Sequence, residues 1–323
     1  MAATSNEAPA PLAGLPNFLR FEPSEEDKRL RALNELARVK GWESALHEIF
    51  ASDPGFIRYV TDPVRQGFLE LLPVTSRSDV LEIGPGLGQF TVPLARMARS
   101  VKAIEVAPLQ AEFVAERCRQ QGLSNVEVMI GGDDCRLPYA DASFDVIVLN
   151  LVFEWCASRL EQEPHEAAQR RLLQEMSRVA RPGAALYLAT KNRYAMRLLF
   201  GGADEHLYQL PFGSALPRAL AGWLIRRKGH GRAMGQLYSH RALEKMLRDA
   251  GFAATRSFWA VPEMRYPAAY IPTDARSVRA ARRQQGWAQG EGRITRTAMR
   301  WVPAQWVKHV TPGLSFLATK PAK

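Results

Sequence analysis

Residues Gly84-Pro85-Gly86-Leu87-Gly88 place three glycines at alternate positions, directly after the apolar run DVLEIG (79–84) and leading into the helical run GQFTVPLARMA (88–98). A strand that turns through glycines into a helix bends sharply and lets a ligand approach closer than a β-carbon would allow. Glu105 lies near the end of the next apolar run, SVKAIEV (100–106), 17 residues beyond Gly88. A carboxylate at that place can accept hydrogen bonds from both hydroxyls of a ribose, and each charge-assisted bond contributes roughly 1.5–3 kcal/mol. The implied ligand carries an adenosyl group. Dinucleotide sites share this logic but require GxGxxG, whose third glycine lets the helix pack against the strand. Here Phe90 and Thr91 follow Gly88 without a further glycine, which argues against NAD.

The elements that must hold these residues alternate in type from Asp79 onward. Strand signals at 79–84, 100–106, 125–131, 144–150 and 184–190 are separated by helical runs at 88–98, 109–122 and 165–183. Later come a helix at 240–251, the strand FAATRSFW and a last strand at 313–320. Such alternation implies a parallel sheet covered on both faces. Before it, Ser24 reads as the N-cap of an amphipathic helix over 24–51, Asp53-Pro54 breaks that helix, and a second helical stretch runs to Leu72. Residues 1–20 read as a flexible tail, 21–78 as an N-terminal helical cap and 79–323 as one domain.

Composition narrows the class. The 323 residues are 46% hydrophobic and 24% charged, which excludes wholesale disorder and collagen. Three cysteines, Cys118, Cys135 and Cys156, are too few and too dispersed for a disulfide framework or a metal cage and suit reduced thiols of a cytoplasmic protein. No apolar run approaches a membrane span, and the N-terminus lacks the pattern of a signal peptide. The net charge of +10 is concentrated: residues 191–238 carry +6 and 259–323 carry +8. A field of one sign attracts an anion, whether a phosphorylated small molecule, a nucleic acid or an acidic membrane surface.

Four ordered blocks resemble the class I S-adenosylmethionine-dependent methyltransferases in their type 11 small-molecule form. They are VLEIGPGLGQFTVPLA, AIEVAP, GGDDCRLPYADASFDVIVLN and the helix ending EMSRVARPGAALYLAT, with HRALEKMLRDAGF matching the family's last helix. The resemblance implies an α/β fold, a Rossmann-like seven-stranded sheet (six parallel strands, one antiparallel), here with the N-terminal helical cap and two lid insertions, 191–238 and 259–312. It implies that Gly84, Gly86 and Gly88 lie under the methionine and ribose, that Glu82 faces the methionine amino group and that Glu105 holds the ribose. Asp133, or its neighbour Asp134, would accept from the adenine amino group, and Asn150 would lie beside the transferring methyl. Two departures stand out. Many type 11 members carry a histidine after the fourth strand, whereas this chain reads Asn150-Leu151-Val152-Phe153-Glu154-Trp155, leaving Glu154 as the only candidate base there. Nucleic-acid N-methyltransferases place Asn-Leu-Pro-aromatic at that point, and the proline is absent. Motif wording nevertheless also resembles ribosomal RNA adenine dimethylases.

Both insertions leave from carboxyl ends of strands, where ligands bind in open α/β sheets, so both are expected to overhang the site. His206 is the leading general-base candidate by its ordinary pKa near neutrality. Tyr208, Tyr238 and Tyr266 are candidates to line the pocket. Arg193 and Arg265 are candidate anion contacts, since guanidinium pairs bidentately with phosphate or carboxylate. Residues 215–228 read as an amphipathic helix suited to a lid or to a membrane surface. The expected acceptor is a small or glycosidic, anionic molecule methylated at oxygen or nitrogen, with no metal required. An RNA N-methyltransferase and a non-catalytic adenosyl-ligand-binding protein are the alternatives.

Overall fold

A computed structural model of the chain describes residues 28–158, 160, 162–284 and 293–322. The expected tail 1–20, the Ser24 cap and the Trp287 region of the second insertion lie outside the described residues.

Three helices precede the sheet: α1 (Lys28–Lys40), α2 (Trp42–Ile49) and α3 (Pro54–Thr61), followed by a 3-10 segment Pro63–Leu71. The single helix expected over 24–51 is in fact two. Gly41 adopts φ +89°, a left-handed conformation that glycine tolerates and that ends α1 while α2 sets off from it. Asp53 caps α3 by accepting from Phe56 N–H at 3.0 Å, with Pro54 at the first helical position where its missing N–H costs nothing.

The strands β1 (Asp79–Ile83), β2 (Ser100–Glu105), β3 (Val126–Ile130), β4 (Phe144–Asn150) and β5 (Ala180–Lys191) alternate with α4 (Thr91–Met97), α5 (Pro108–Gln120) and α6 (His165–Val179). From β5 the chain runs through α7 (Met196–Leu199), the short paired strands β6 (Ala203–Asp204) and β7 (Leu210–Pro211), α8 (Arg218–Arg227) and α9 (His240–Asp249). Then follow β8 (Ala253–Val261), β9 (Ala269–Pro272), α10 (Ala275–Arg283), α11 (Arg293–Trp301), a 3-10 turn Ala304–His309 and β10 (Gly313–Thr319).

The main sheet has the order β3-β2-β1-β4-β5-β10-β8-β9, with β10 antiparallel to both β5 and β8. It holds eight strands where seven were expected. The extra one, β9, comes from the second insertion and pairs antiparallel with β8 at the edge, Val261 opposite Ala269. The helix expected over 165–183 stops at Val179, because Ala180 already pairs with Phe144 across β4.

Alternate residues along each central strand serve opposite faces. Leu81, Ile83, Ile147, Leu149, Leu186 and Leu188 pack with α6 and α9, while Val80, Val101, Val146, Val148 and Tyr187 pack on the other side. The N-terminal segment supplies part of that second layer. Phe68 is fully buried, its ring stacked 4.5 Å from that of Tyr187 and edge-on to Phe90 at 4.9 Å. Phe68→Ala should therefore destabilise the whole protein by about 3–5 kcal/mol, read as a lowered urea midpoint of one cooperative transition. A separate early transition would show instead that residues 28–71 fold apart from the sheet.

Candidate functional site

A cavity of about 440 Å³ opens at the carboxyl ends of β1, β2 and β4. Its floor is the glycine bend. Gly84 sits at φ +72°, and a β-carbon there would lie 2.5 Å from Val152 Cγ2, so only glycine fits. Gly86 also borders the cavity, whereas Gly88 (φ +79°) faces Val114 and Arg117 and serves the packing of α5. Glu105 lines the wall. Its Oε2 accepts from Gly86 N–H at 3.1 Å and its Oε1 from Ala107 N–H at 3.0 Å, so two backbone donors orient the carboxylate across the bend.

Asp133 and Asn150 line the same cavity. Asp134 does not: its Oδ1 accepts from Arg136 N–H at 2.9 Å, and its carbonyl accepts from Arg171. Of the two neighbouring aspartates, Asp133 is thus the one placed to meet a ligand. Glu82 lies behind the bend, buried, with Oε2 accepting from the Thr91 hydroxyl at 2.6 Å and Oε1 without a hydrogen-bond partner. Burial, reinforced by the Glu105 charge, pushes its pKa up to about 7.

Several lining residues carried no signal in the sequence. Phe56, Tyr59 and Val60 of α3 border the cavity, as do Gln89, Gln110 and, from the turn after β4, Trp155. A stretch read only as helical does not reveal which distant cleft its aromatic residues will border. Arg117 anchors the bend from behind: its guanidinium donates to the Leu87 carbonyl at 2.7 Å and lies 4.0 Å over the Trp42 ring. Burial pushes Cys118 and Cys135 up to about 12 and raises Cys156, which borders the cavity, well above its ordinary value.

Neither insertion lines this cavity among the described residues, contrary to expectation. Both stand behind residues that do. His206 is almost fully buried; its Nδ1 lies 2.8 Å from Asp204 Oδ1 and its ring packs 4.3 Å from that of Trp155. It borders a separate small cavity of about 120 Å³. Glu154 is buried too, its Oε2 accepting from the Thr190 hydroxyl at 2.6 Å. Tyr208 stacks on His230 with ring centroids 3.7 Å apart. Arg193 spends its guanidinium on the carbonyls of Ser214 and Leu216, both at 2.9 Å, and Tyr238 donates from the core to Gln169 at 2.7 Å. Arg265 lies 3.7 Å from Glu205, and Tyr266 lies under the Arg58 guanidinium at 4.3 Å. None of these seven residues borders the cavity, so the expectation of direct contact is corrected for each. No group of three His, Cys, Asp or Glu among the described residues is placed to hold a metal ion.

The family described as "Methyltransferase domain" matches residues 81–188, which run from β1 into β5. A ubiquinone biosynthesis O-methyltransferase of Hahella chejuensis is 30% identical over 204 residues, spanning 59% of this chain and 79% of that protein. The chain belongs to the class I S-adenosylmethionine-dependent methyltransferases. Similarity extends to the biotin biosynthesis bifunctional protein BioHC of Cellvibrio japonicus, 36% identical over 38% of this chain and 22% of that one. It extends also to a probable ribosomal RNA small subunit methyltransferase A of Methanothermobacter thermautotrophicus, 36% identical over 50% of this chain and 57% of that one. The chain thus spans well under two thirds of the length of these last two relatives.

The cofactor of this methyltransferase family is S-adenosylmethionine, and the residues present fit it. The bend is closed to any β-carbon at Gly84, the cavity falls in the range of small-molecule sites, and a buried carboxylate oxygen of Glu82 lacks a partner. Glu105→Ala should weaken binding of S-adenosylhomocysteine by roughly 10- to 100-fold in calorimetry, the loss of one to two charge-assisted bonds. Unchanged affinity would remove Glu105 from the site. Glu82 supplies a second test. Its folded pKa lies above its ordinary 4.5, so its contribution to stability is complete below about pH 4.5 and is lost as pH rises through about 7. Between about pH 5 and pH 8 the wild type should therefore lose more stability than Glu82→Gln, by up to about 3 kcal/mol. Parallel pH profiles would contradict the raised pKa.

Proposed function

We propose that the protein transfers the methyl group of S-adenosylmethionine to an oxygen or nitrogen of a small or glycosidic, anionic molecule. The observation that carries this reading is one cavity in which the glycine bend, Glu105, Asp133 and Asn150 meet, bordered also by Phe56, Tyr59 and Trp155. Glu105 and the bend would hold the ribose, Asp133 the adenine amino group, and Asn150 with the buried Glu82 the methionine end. When bound, the cofactor supplies a methyl group carried on a positively charged sulfur. The protein's part is alignment: it must hold an acceptor lone pair in line with the bond that breaks, in a pocket from which water is excluded. Phe56, Tyr59 and Trp155 provide aromatic walls for that purpose. No histidine lines the cavity among the described residues.

His206 is accordingly a positioning residue in this reading. Fixed by Asp204, it backs Trp155 and holds that ring against the cavity. His206→Asn should raise KM for the acceptor several-fold while leaving the pH profile of kcat in place. Loss of the acidic limb of that profile would restore His206 as the proton acceptor.

RNA methylation is the second reading, favoured by the similarity to ribosomal RNA methyltransferases. Against it, the aromatic at the Asn150-Leu151-Val152-Phe153 turn is wholly buried in the core, where it cannot stack on a flipped base. Radiolabel from S-adenosylmethionine, added with the protein to fractionated cell extract, is expected in the small anionic fraction. Label confined to RNA, with binding that falls steeply across a salt series, would replace the first reading by the second. No label in any fraction, with adenosyl binding intact, would leave the non-catalytic alternative.

A further inference from the structure

The surface away from the cavity shows an uneven distribution of apolar side chains. Nine large apolar residues are exposed among the described residues, and six of them lie in the two basic insertions: Phe200, Phe212, Leu220, Trp223, Trp301 and Trp306. Their exposure runs from 43% for Leu220 to 83% for Trp301. Single exposed apolar residues are ordinary, but a group of this size dominated by tryptophan and phenylalanine is not.

These residues sit on adjoining elements. The Phe212 ring lies beside Gly201, where a β-carbon would approach it to 2.6 Å, so Phe200 and Phe212 are brought together. Phe212 accepts through its carbonyl from Ala215 N–H at 2.9 Å, which joins this turn to the approach to α8. On α8 itself Ala221 and Ile225 are buried, while Leu220 and Trp223, three residues apart, face outward. In the other direction α7 packs against α11, which ends in Trp301, and Met196 N–H donates to the Val310 carbonyl just after the turn that bears Trp306. The helix expected at 215–228 therefore does not bury its tryptophan against its own domain; it presents it.

Cations surround these side chains. Arg226, Arg227 and Lys228 end α8, with the Arg227 guanidinium 5.2 Å over the Trp223 ring, and Arg300 and Lys308 flank Trp301 and Trp306. None of these five cations forms an ion pair with an acid among the described residues. Nor do the six apolar residues line either cavity described above.

We infer that this aromatic and basic face of the two insertions docks on an anionic lipid bilayer. Tryptophan and phenylalanine settle at the boundary between headgroups and acyl chains, and neighbouring arginines and lysines reach the lipid phosphates. Each cation near an anionic surface adds Coulombic attraction, and the apolar side chains add their burial. A single-stranded nucleic acid would instead call for a basic groove with stacking platforms inside it. No helix among the described residues is long and apolar enough to cross a membrane, so contact of this kind is peripheral. The insertions leave the same edge of the sheet on which the cavity opens, so an anionic acceptor borne on the bilayer would be presented at that edge. The inference goes beyond the proposed reaction and does not depend on it.

Co-sedimentation of the full chain with phosphatidylcholine vesicles, with and without about a quarter phosphatidylglycerol, tests it. Binding is expected only to the anionic vesicles, is expected to weaken as salt rises from about 0.1 to about 0.5 M, and should be accompanied by quenching of tryptophan emission by brominated lipid. Trp301→Glu with Trp306→Glu should weaken binding about ten-fold or more, while Val39→Glu, at an exposed apolar position on α1, should not. Circular dichroism and S-adenosylhomocysteine binding, expected unchanged in every variant, show that each is folded and that the cofactor site is independent of the docking face. Absence of vesicle binding, or binding that ignores the tryptophan substitutions, overturns the proposal. So does self-association, or tight binding of unstructured RNA, that the same pair of substitutions abolishes while vesicle binding stays intact.

Discussion

A methyl group at Gly84 would come within 2.5 Å of Val152, and that steric limit governs the rest of the site. Because the bend accepts no β-carbon, the turn after β4 can close directly over the end of β1. One N–H of the bend, that of Gly86, then points at a carboxylate on β2. Glu105 accepts from Gly86 and Ala107 together, so the acid proposed to hold a ribose also holds the loop beside it. Such a group is pre-organised before any ligand arrives, and little conformational freedom remains to be lost on binding.

The additions to the sheet act on the site at one remove. Trp42 of α2 covers Arg117, which in turn grips the Leu87 carbonyl, so the N-terminal helices stabilise the bend through a buried guanidinium. Arg65, buried beside Tyr59, donates to the Arg265 carbonyl at 3.0 Å, and Arg58 covers Tyr266. The second insertion thereby braces α3, whose Phe56 and Tyr59 border the cavity. The first insertion backs Trp155 with the Asp204–His206 pair. His206 and Tyr266, expected to contact a ligand, instead pack against elements that line the cavity.

Charge is divided in the same way. Glu82, Glu105 and Asp133 gather at the carboxyl ends of the parallel strands, so the cavity and its back wall carry acids. The excess positive charge lies on the insertions, which do not line that cavity among the described residues. The two regions have opposite sign, and the net charge of +10 alone conceals this division.

The glycine bend and the acid beside it were legible in the sequence because they depend on local geometry. A strand, alternate glycines, a helix and an acid one strand over occupy consecutive segments, and backbone conformation at glycine is a property of that residue. That the strands form a largely parallel sheet followed from the same alternation, whereas their order did not. Only the tertiary structure decided that Asp133 and not Asp134 faces the cavity, that α3 supplies part of its wall, and that β9 joins the sheet as an eighth strand. It also turned His206, Arg193 and Tyr238 inward and Trp223 and Trp301 outward. Those outcomes depend on which side chains pack together across long separations in the chain, and packing is cooperative and shape-dependent, so residue type and spacing carry no record of it.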